Sequence, residues 1–194
     1  TVYLNGQALG QHRGGYTPFN FEITELLEDG DNDLVVRVDN TLDMSSVPTR
    51  RTDWWQYGGI TRDVSLVSVP DTFVRQFQVW LEDHNTGEIR GWVQLDGVAA
   101  GTSVVLAIRE LDITATAITN ADGRASFTLS ARPQLWSPEQ PKLYEVSVTA
   151  GNDTSRDQVG FRTVRRDGGK ILLNQAAMRL LRGRRGGLLR IAMR

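Results

Sequence analysis

Short apolar segments separated by turn residues run through most of the 194-residue chain. Turn sequences such as Asn5-Gly6, Asp29-Gly30 and Asn120–Gly123 recur about every 8–12 residues, a spacing typical of β-sandwiches and β-barrels. Between the turns, apolar and polar side chains alternate as they do in half-buried strands, and no long stretch has a helical period. The sequence therefore predicts an all-β protein.

Composition excludes several classes of function. The net charge of −1 gives no general electrostatic basis for binding nucleic acid or an anionic membrane, and no apolar run approaches the roughly 20 residues that span a bilayer. The chain has no cysteine, so it forms neither disulfides nor thiolate metal sites. His12 and His84 are far apart and lack companion ligands. We therefore expect no metal, no cofactor, no nucleic acid and no membrane partner.

The dipeptide Pro70-Asp71 divides the chain into two parts. After it, about seven short strands follow before residue 166, which is the strand count of an immunoglobulin-like sandwich, and the last of them is predicted over Gln158–Val164. Before it, the pattern predicts a hairpin at Asn5-Gly6, a buried strand over Leu34–Val38 and a closing strand over Ile60–Val69.

A long loop over Asp39–Tyr57 ends in the aromatic run Asp53-Trp54-Trp55-Gln56-Tyr57, followed by Gly58-Gly59. Loops of this length inside a compact domain are usually functional or disordered, and the aromatic residues argue against disorder. The two glycines permit positive φ or a close backbone approach. We expect an ordered aromatic loop mounted on a sheet.

Three groups of residues, in order, resemble glycoside hydrolase family 2, which holds β-galactosidases, β-glucuronidases and β-mannosidases. Asp53–Val64 (DWWQYGGITRDV) resembles the end of the family's jelly-roll sugar-binding domain. Leu135–Tyr144 (LWSPEQPKLY) and Val159–Arg162 (VGFR) resemble its immunoglobulin-like domain, with Trp136 expected in the core. Ile171–Asn174 (ILLN) is similar to the segment that leads into the catalytic (β/α)₈ barrel, where the family has glycine in place of Gln175.

The resemblance implies three regions. Residues 1–69 would be the C-terminal part of the jelly roll, residues 70–166 the immunoglobulin-like sandwich, and residues 167–194 a linker toward a barrel that this sequence lacks. From Lys170 onward there are seven basic residues and no acidic one, and nothing after Arg184 matches the family. We therefore expect an irregular basic tail there, such as a frameshift would produce.

The resemblance also implies a binding site without a catalytic one. The family's two catalytic glutamates lie on the barrel, and no position here matches either, so no catalytic residue is assigned. Asp53 matches a β-galactosidase aspartate that contacts sugar hydroxyls or a cation, and Trp54, Trp55 and Tyr57 could stack on sugar faces. The alternatives are that Asp53 caps its own loop and that Trp55 and Tyr57 pack against another domain.

One further pair in this loop suggests a binding role. Arg50-Arg51 could grip the carboxylate of a uronic acid, although a solvated loop is the simpler interpretation.

On this basis the sequence predicts the non-catalytic portion of a retaining β-glycosidase that hydrolyses O-glycosyl bonds and is a homo-oligomer. Its partners would be a terminal β-linked sugar and the barrel, and the chain alone would be inactive. Two alternatives remain open: a stand-alone carbohydrate-binding module, and a structural β-sandwich that only supports or oligomerises an enzyme.

Overall fold

The computed structural model describes residues 1–41, 57–97, 99–182 and 189–193, with side chains described as far as Met178. The prediction of an all-β protein is confirmed: the described residues form fourteen strands and two short 3-10 turns. No helix in these ranges is long and apolar enough to cross a bilayer. The chain separates into two compact units, Thr1–Leu66 and Val67–Arg194.

The first unit contains a three-stranded antiparallel sheet in the order β2-β1-β3. Strand β1 covers Val2–Leu4, β2 covers Gln7–Gly10 and β3 covers Leu34–Val36. Asn5 and Gly6 join β1 to β2 with φ values of 49° and 78°. Two consecutive positive φ angles are the mark of a type I′ turn, so the predicted Asn-Gly hairpin is present.

Two strand predictions ahead of Pro70 are wrong. Strand β3 ends at Val36, with Leu34 51% and Val35 57% exposed, so it is neither as long nor as buried as predicted. No strand forms over Ile60–Val69. A strand persists only where its backbone finds a hydrogen-bonding partner, and the described sheet offers this segment none. Its apolar side chains therefore stay exposed.

We expect the two units to differ in protection from hydrogen exchange. In the described part of the first unit only Val2 and Leu4 are buried hydrophobic residues, whereas the second unit encloses a continuous core. Regions with few buried apolar contacts open at low free energy. Amides of β1 and β3 should exchange well before those of the central strands of the second unit, as mass spectrometry of peptides would show. Uniform protection across the chain would contradict this expectation.

The second unit is a sandwich of two antiparallel sheets with strand orders β4-β5-β8 and β10-β9-β6-β7. The seven strands match the predicted number, and their bounds are Thr72–Asp83 (β4), Glu88–Gly97 (β5), Ser103–Ile108 (β6), Ile113–Ile118 (β7), Arg124–Ser130 (β8), Tyr144–Ala150 (β9) and Asp153–Val159 (β10).

The last strand of the sandwich lies earlier than predicted. Strand β10 covers Asp153–Val159, whereas the sequence predicts a strand over Gln158–Val164. Gly151, with φ of 55°, begins a tight turn that lets Asp153 pair directly with Ala150. The pairing is therefore complete at Val159, where Tyr144 begins β9.

The core consists of alternate residues of both sheets. The largest side chains with almost no exposure are Ile89, Val93, Val104, Leu106, Ile108, Val146, Val148 and Phe161. Trp136, expected in this core, is instead half-buried at its margin. Its backbone N–H donates to the Phe161 carbonyl at 2.8 Å, and the Arg162 guanidinium lies 5.2 Å from its ring centre. The indole keeps one side available to Arg162, which explains its incomplete burial.

The expectation of an irregular tail after residue 166 is also wrong. Strands β11 (Val164–Asp167), β12 (Lys170–Leu173), β13 (Ala176–Arg182) and β14 (Leu189–Met193) pair antiparallel in that order. The change in charge does not interrupt backbone pairing, because the turn at Asn174-Gln175 aligns Leu173 with Ala176.

Asn174 fastens this turn to the sandwich. Its Oδ1 accepts a hydrogen bond from the Thr163 N–H at 3.0 Å, its Nδ2 donates to the Trp136 carbonyl at 3.0 Å, and its own N–H donates to the Thr163 carbonyl at 2.9 Å. Asn174 and Gln175 both have positive φ, 49° and 71°. Asparagine tolerates this conformation, whereas glutamine pays a steric cost.

We expect Gln175→Gly to stabilise the chain by about 0.5–1 kcal/mol, because glycine adopts positive φ without strain. The Gln175 side chain donates a long 3.4 Å hydrogen bond to Asn85 on an exposed surface, and removing this bond should cost little. Urea denaturation of the two proteins measures the change. Gln175→Ala is the control, since it removes the same hydrogen bond but keeps the strain; equal effects of the two substitutions would refute the explanation.

Candidate functional site

Most of the predicted sugar-binding residues fall outside the described ranges. Asp53, Trp54 and Trp55 belong to this group, as does the Arg50-Arg51 pair. Tyr57 is described, and its side chain is 77% exposed. An exposed phenol ring is free to contact a ligand or another protein surface, so both interpretations of Tyr57 remain open.

The two ends of the aromatic loop lie side by side. A Cβ atom placed on Gly58 would be only 3.2 Å from Nδ2 of Asn40. Asn40 follows β3 by four residues and Gly58 follows the aromatic run, so the chain leaves the sheet and returns to nearly the same point. Gly59 has φ of 88°, which a residue with a Cβ rarely adopts. Gly58 therefore permits the close approach, and Gly59 adopts the positive φ, that the sequence predicts for this pair.

Asp39, at the start of the loop, is a carboxylate that the sequence pattern does not single out. Its Oδ1 accepts a hydrogen bond from the Thr41 N–H at 2.9 Å. Hydrogen bonds from the Thr41 side chain and backbone, with a smaller contribution from the charge of Arg37, hold the pKa of Asp39 below its usual range. The spacing Asp-x-Thr after a strand is the local signal of such a turn. An exposed, ionised carboxylate there can accept hydroxyl donors.

A second group of aromatic rings lies on the loop that follows β2. The His12 ring stacks on Phe19 with centres 4.6 Å apart, and Phe19 meets Phe21 edge-on at 5.8 Å. Thr17 Oγ1 lies 3.2 Å from His12 Nε2. Phe21 packs so closely on Gly10 that a Cβ there would lie 2.5 Å from its ring. This close packing anchors the group to β2 and leaves Phe19 half exposed.

Acidic groups in the described ranges are dispersed. No three His, Asp or Glu side chains in those ranges come together closely enough to hold a metal ion. What the described part of the first unit offers a ligand is therefore aromatic rings and isolated carboxylates. Such surfaces suit polar ligands with apolar C–H faces.

Two family models match the chain, one after the other. The sugar-binding domain of the glycosyl hydrolases of family 2 matches residues 1–70, and a second domain of the same family matches residues 72–162. Together the two models cover most of the chain, and each of the two compact units corresponds to one of the matched regions.

Individual relatives are glycosidases by name, in agreement with the family models. A Formosa agariphila protein with a provisional β-glucuronidase name is 32% identical over 94% of this chain, and a β-galactosidase of Thermoanaerobacter pseudethanolicus is 31% identical over 92%. Among solved structures, a Bifidobacterium dentium β-glucuronidase complexed with coumarin-3-O-glucuronide is 25% identical, with a TM-score of 0.70, over 92% of this chain and 37% of its own.

This chain spans about a quarter of the length of the curated relatives it matches, 24% of the first and 26% of the second. The two matched regions follow one another along the chain, and both are domains of one family. The chain therefore belongs to glycoside hydrolase family 2.

Proposed function

We propose that this chain supplies the non-catalytic, sugar-contacting portion of a retaining β-glycosidase that hydrolyses O-glycosyl bonds. The observation that carries the proposal is the consecutive match of residues 1–70 and 72–162 to two domains of one glycosidase family. Relatives named β-galactosidase and β-glucuronidase align with nearly the whole chain, so the sugar class is a terminal β-linked galactose or uronic acid.

The chemistry divides between this chain and a barrel. Retaining hydrolysis needs two carboxyl groups about 5–5.5 Å apart, one as nucleophile and one as acid and base. No position of the chain matches the family's two catalytic glutamates. The chain's share is binding: Asp53 accepts hydrogen bonds from sugar hydroxyls, and Trp54, Trp55 and Tyr57 offer ring faces to the sugar. Binding groups of this kind accelerate the reaction when they hold the sugar in its reactive geometry.

Exposure and backbone geometry support a role for the loop. The ends of the loop are held together at Asn40 and Gly58, and Tyr57 projects into solvent immediately before that closure. A loop whose two ends lie side by side, with the exposed ring of Tyr57 next to them, is suited to reaching another surface, either the sugar or the barrel. The carboxylate of Asp39 at the same base adds a second acceptor for hydroxyl groups.

We expect Asp53→Ala to lower kcat/KM about 10–100-fold when the chain is combined with a separately produced family 2 catalytic barrel, because hydrogen bonds to a charged group are worth about 1.5–3 kcal/mol. The assay is hydrolysis of aryl β-galactosides and aryl β-glucuronides with and without the chain. Asp29→Ala is the matched control, since Asp29 is an exposed carboxylate in a turn of the same unit. Equal loss with both substitutions, or stimulation independent of Asp53, would refute the proposed contact.

A stand-alone carbohydrate-binding module is the second candidate. The exposed rings of Tyr57 and Phe19 favour it. It requires saccharide affinity in the isolated chain that falls on Asp53→Ala or Trp54→Ala. Calorimetric titrations over a panel of mono- and oligosaccharides test it, and flat titrations throughout would exclude it.

A further inference from the structure

The outer face of sheet β4-β5-β8 carries a regular array of polar and aromatic side chains. Residues that alternate with the core positions of the three strands point away from the core. Register places them in three rows across the sheet: Gln76–Gln94–Arg124, Gln78–Trp92–Ser126 and Trp80–Arg90–Thr128. We call these nine residues the polar-aromatic face.

No aliphatic side chain occurs among these nine residues. Trp80 and Trp92 are diagonal neighbours on adjacent strands, and both indoles are half-buried. The outer face of the other sheet is different: on β7 it presents Thr114, Thr116 and Ile118, with Ile118 60% exposed. Both outer faces carry hydrogen-bonding side chains, but among the described strands of the sandwich only those of sheet β4-β5-β8 carry indoles.

Each indole is held by one neighbouring side chain, Glu82 for Trp80 and Arg124 for Trp92. Nε1 of Trp80 donates a hydrogen bond to Oε2 of Glu82 at 2.7 Å. The Arg124 guanidinium lies 4.2 Å from the centre of the Trp92 ring. Rings that are fixed before a ligand arrives lose little freedom on binding, which favours recognition.

Of the two arginines on this face, Arg90 is paired with a carboxylate of the described residues and Arg124 is not. Arg90 Nε is 2.7 Å from Oε1 of Glu88, and the charge of Glu82 also acts on it, so Arg90 is already matched by carboxylates. Arg124 forms no ion pair with the residues that the structure describes. Its guanidinium lies over the Trp92 ring, and its N–H groups can donate to an external carboxylate with the bidentate geometry that arginine favours.

The face continues into a cleft at one edge. Gln78, Trp80 and Glu82 of β4 line one side of a cleft of about 820 Å³, and residues 157–160 and 162–165 line the other. Strand β4 is an edge strand of its sheet and β10 an edge strand of the other, so the cleft runs between the two sheet edges. An extended ligand on the face has room to continue there.

We propose that the polar-aromatic face binds a β-linked oligosaccharide that contains a uronic acid. Trp80 would contact the C–H face of a sugar unit, and Trp92 would hold the Arg124 guanidinium against its ring. Gln76 and Gln78 would bond sugar hydroxyls, and Arg124 would bind the carboxylate. The face has hydrogen-bonding groups around both indoles and no aliphatic side chain, which suits a ligand rich in hydroxyl groups. The inference rests on the proposed glycosidase function, to which it adds a second place that holds substrate.

The test is calorimetric titration of the full chain with a tetrasaccharide of alternating β-linked glucuronic acid and N-acetylglucosamine, with neutral cellotetraose as the matched ligand. Trp80→Ala and Trp92→Ala should each weaken binding of the acidic tetrasaccharide about tenfold. Arg124→Gln should weaken binding of the acidic tetrasaccharide by a similar factor and leave the affinity for cellotetraose unchanged. Thr116→Ala, on the opposite sheet, should change neither.

A second readout is made on the wild-type chain, so it does not depend on whether the alanine variants fold. Indole N–H signals of the wild-type chain should shift for Trp80 and Trp92 when the acidic tetrasaccharide is added, with Trp80→Phe and Trp92→Phe used to assign them. Absence of binding, or shifts confined to Trp54 and Trp55, would overturn the inference. Binding that is lost in Asp53→Ala but unchanged in Trp80→Ala and Trp92→Ala would also overturn it while leaving the proposed function intact. Failure of the barrel combination, in contrast, would count against the proposed function alone.

Discussion

Phe161→Ala is expected to cost about 3–5 kcal/mol of folding free energy, the largest single effect we predict. Phe161 follows β10, has no exposed surface and lies with its ring centre 5.5 Å from that of Tyr144. Its carbonyl also accepts the hydrogen bond from the Trp136 N–H. Truncation would leave a cavity where both sheets and the connecting segment meet, and such a cavity cannot be filled without moving all three.

Urea denaturation followed by far-ultraviolet circular dichroism measures this effect. Since a domain of this size is stable by about 5–15 kcal/mol, the variant should lose a large share of its stability. Leu143→Ala is the matched control: Leu143 precedes β9 and is 42% exposed, so its truncation should cost less than about 1 kcal/mol. A Phe161→Ala variant as stable as the Leu143→Ala variant would show that the core is not organised around this ring.

Gly97→Ala should destabilise by about 2–4 kcal/mol, the sum of a positive-φ penalty and an overpacking penalty. Gly97 ends β5 with φ of 82°, paired with Thr72 at the start of β4. A Cβ there would lie 1.6 Å from the Asp71 carbonyl oxygen. Because the atom in the way belongs to the backbone, the β4–β5 pair must separate at this point to accommodate a methyl group.

Gly101 provides a matched control for the backbone term. Its φ of 71° is similar, but a Cβ at Gly101 would meet nothing within 4 Å. Gly101→Ala should therefore cost only about 1 kcal/mol, the positive-φ term alone. The difference between the two variants in thermal or urea unfolding isolates the clash with Asp71. Equal destabilisation would mean that the strand pair yields freely at this end.

The features that could be predicted from the sequence are those that local chemistry decides. Asn5-Gly6 predicts its turn because two consecutive positive φ angles require residues of this kind. The alternation over β5, from Ile89 to Leu95, predicts a strand because one face meets the core and the other faces solvent. The resemblance of Asp53–Val64 and Val159–Arg162 to family 2 motifs led to the family that the comparisons show.

The features that could not be predicted depend on distant partners. Ile60–Val69 has an alternating pattern, but no described strand pairs with it. The position of β10 depends on how Asp153 pairs with Ala150, and the order of β11–β14 on a turn at Asn174 that is held by Thr163 and Trp136. The turn that Asp39 forms with Thr41 was not predicted, because one Asp in a polar loop has no distinguishing pattern. The pairing of strands such as β9 with β10 cannot be inferred from one segment at a time.

The candidate site also combines features that local sequence predicts with contacts that only the folded chain shows. The closure of the aromatic loop depends on Asn40 lying beside Gly58, eighteen residues further along the chain. The Gly-Gly pair indicated a constrained backbone, but not its partner. The polar-aromatic face likewise requires the register of three strands, since Trp80, Trp92 and Arg124 are separated in sequence and adjacent only in the sheet.

The non-catalytic role of this chain is tested most simply by incubating the purified chain alone with aryl β-galactosides and aryl β-glucuronides. A parallel incubation uses the matching 2-deoxy-2-fluoro glycosides, which trap a retaining nucleophile. We predict no release of aryl alcohol and no gain of mass by the chain, because no position of the chain matches the family's two catalytic glutamates. Turnover that is lost on heat denaturation, together with a glycosyl adduct on one of its own glutamates, would contradict the assignment of this chain to the non-catalytic portion.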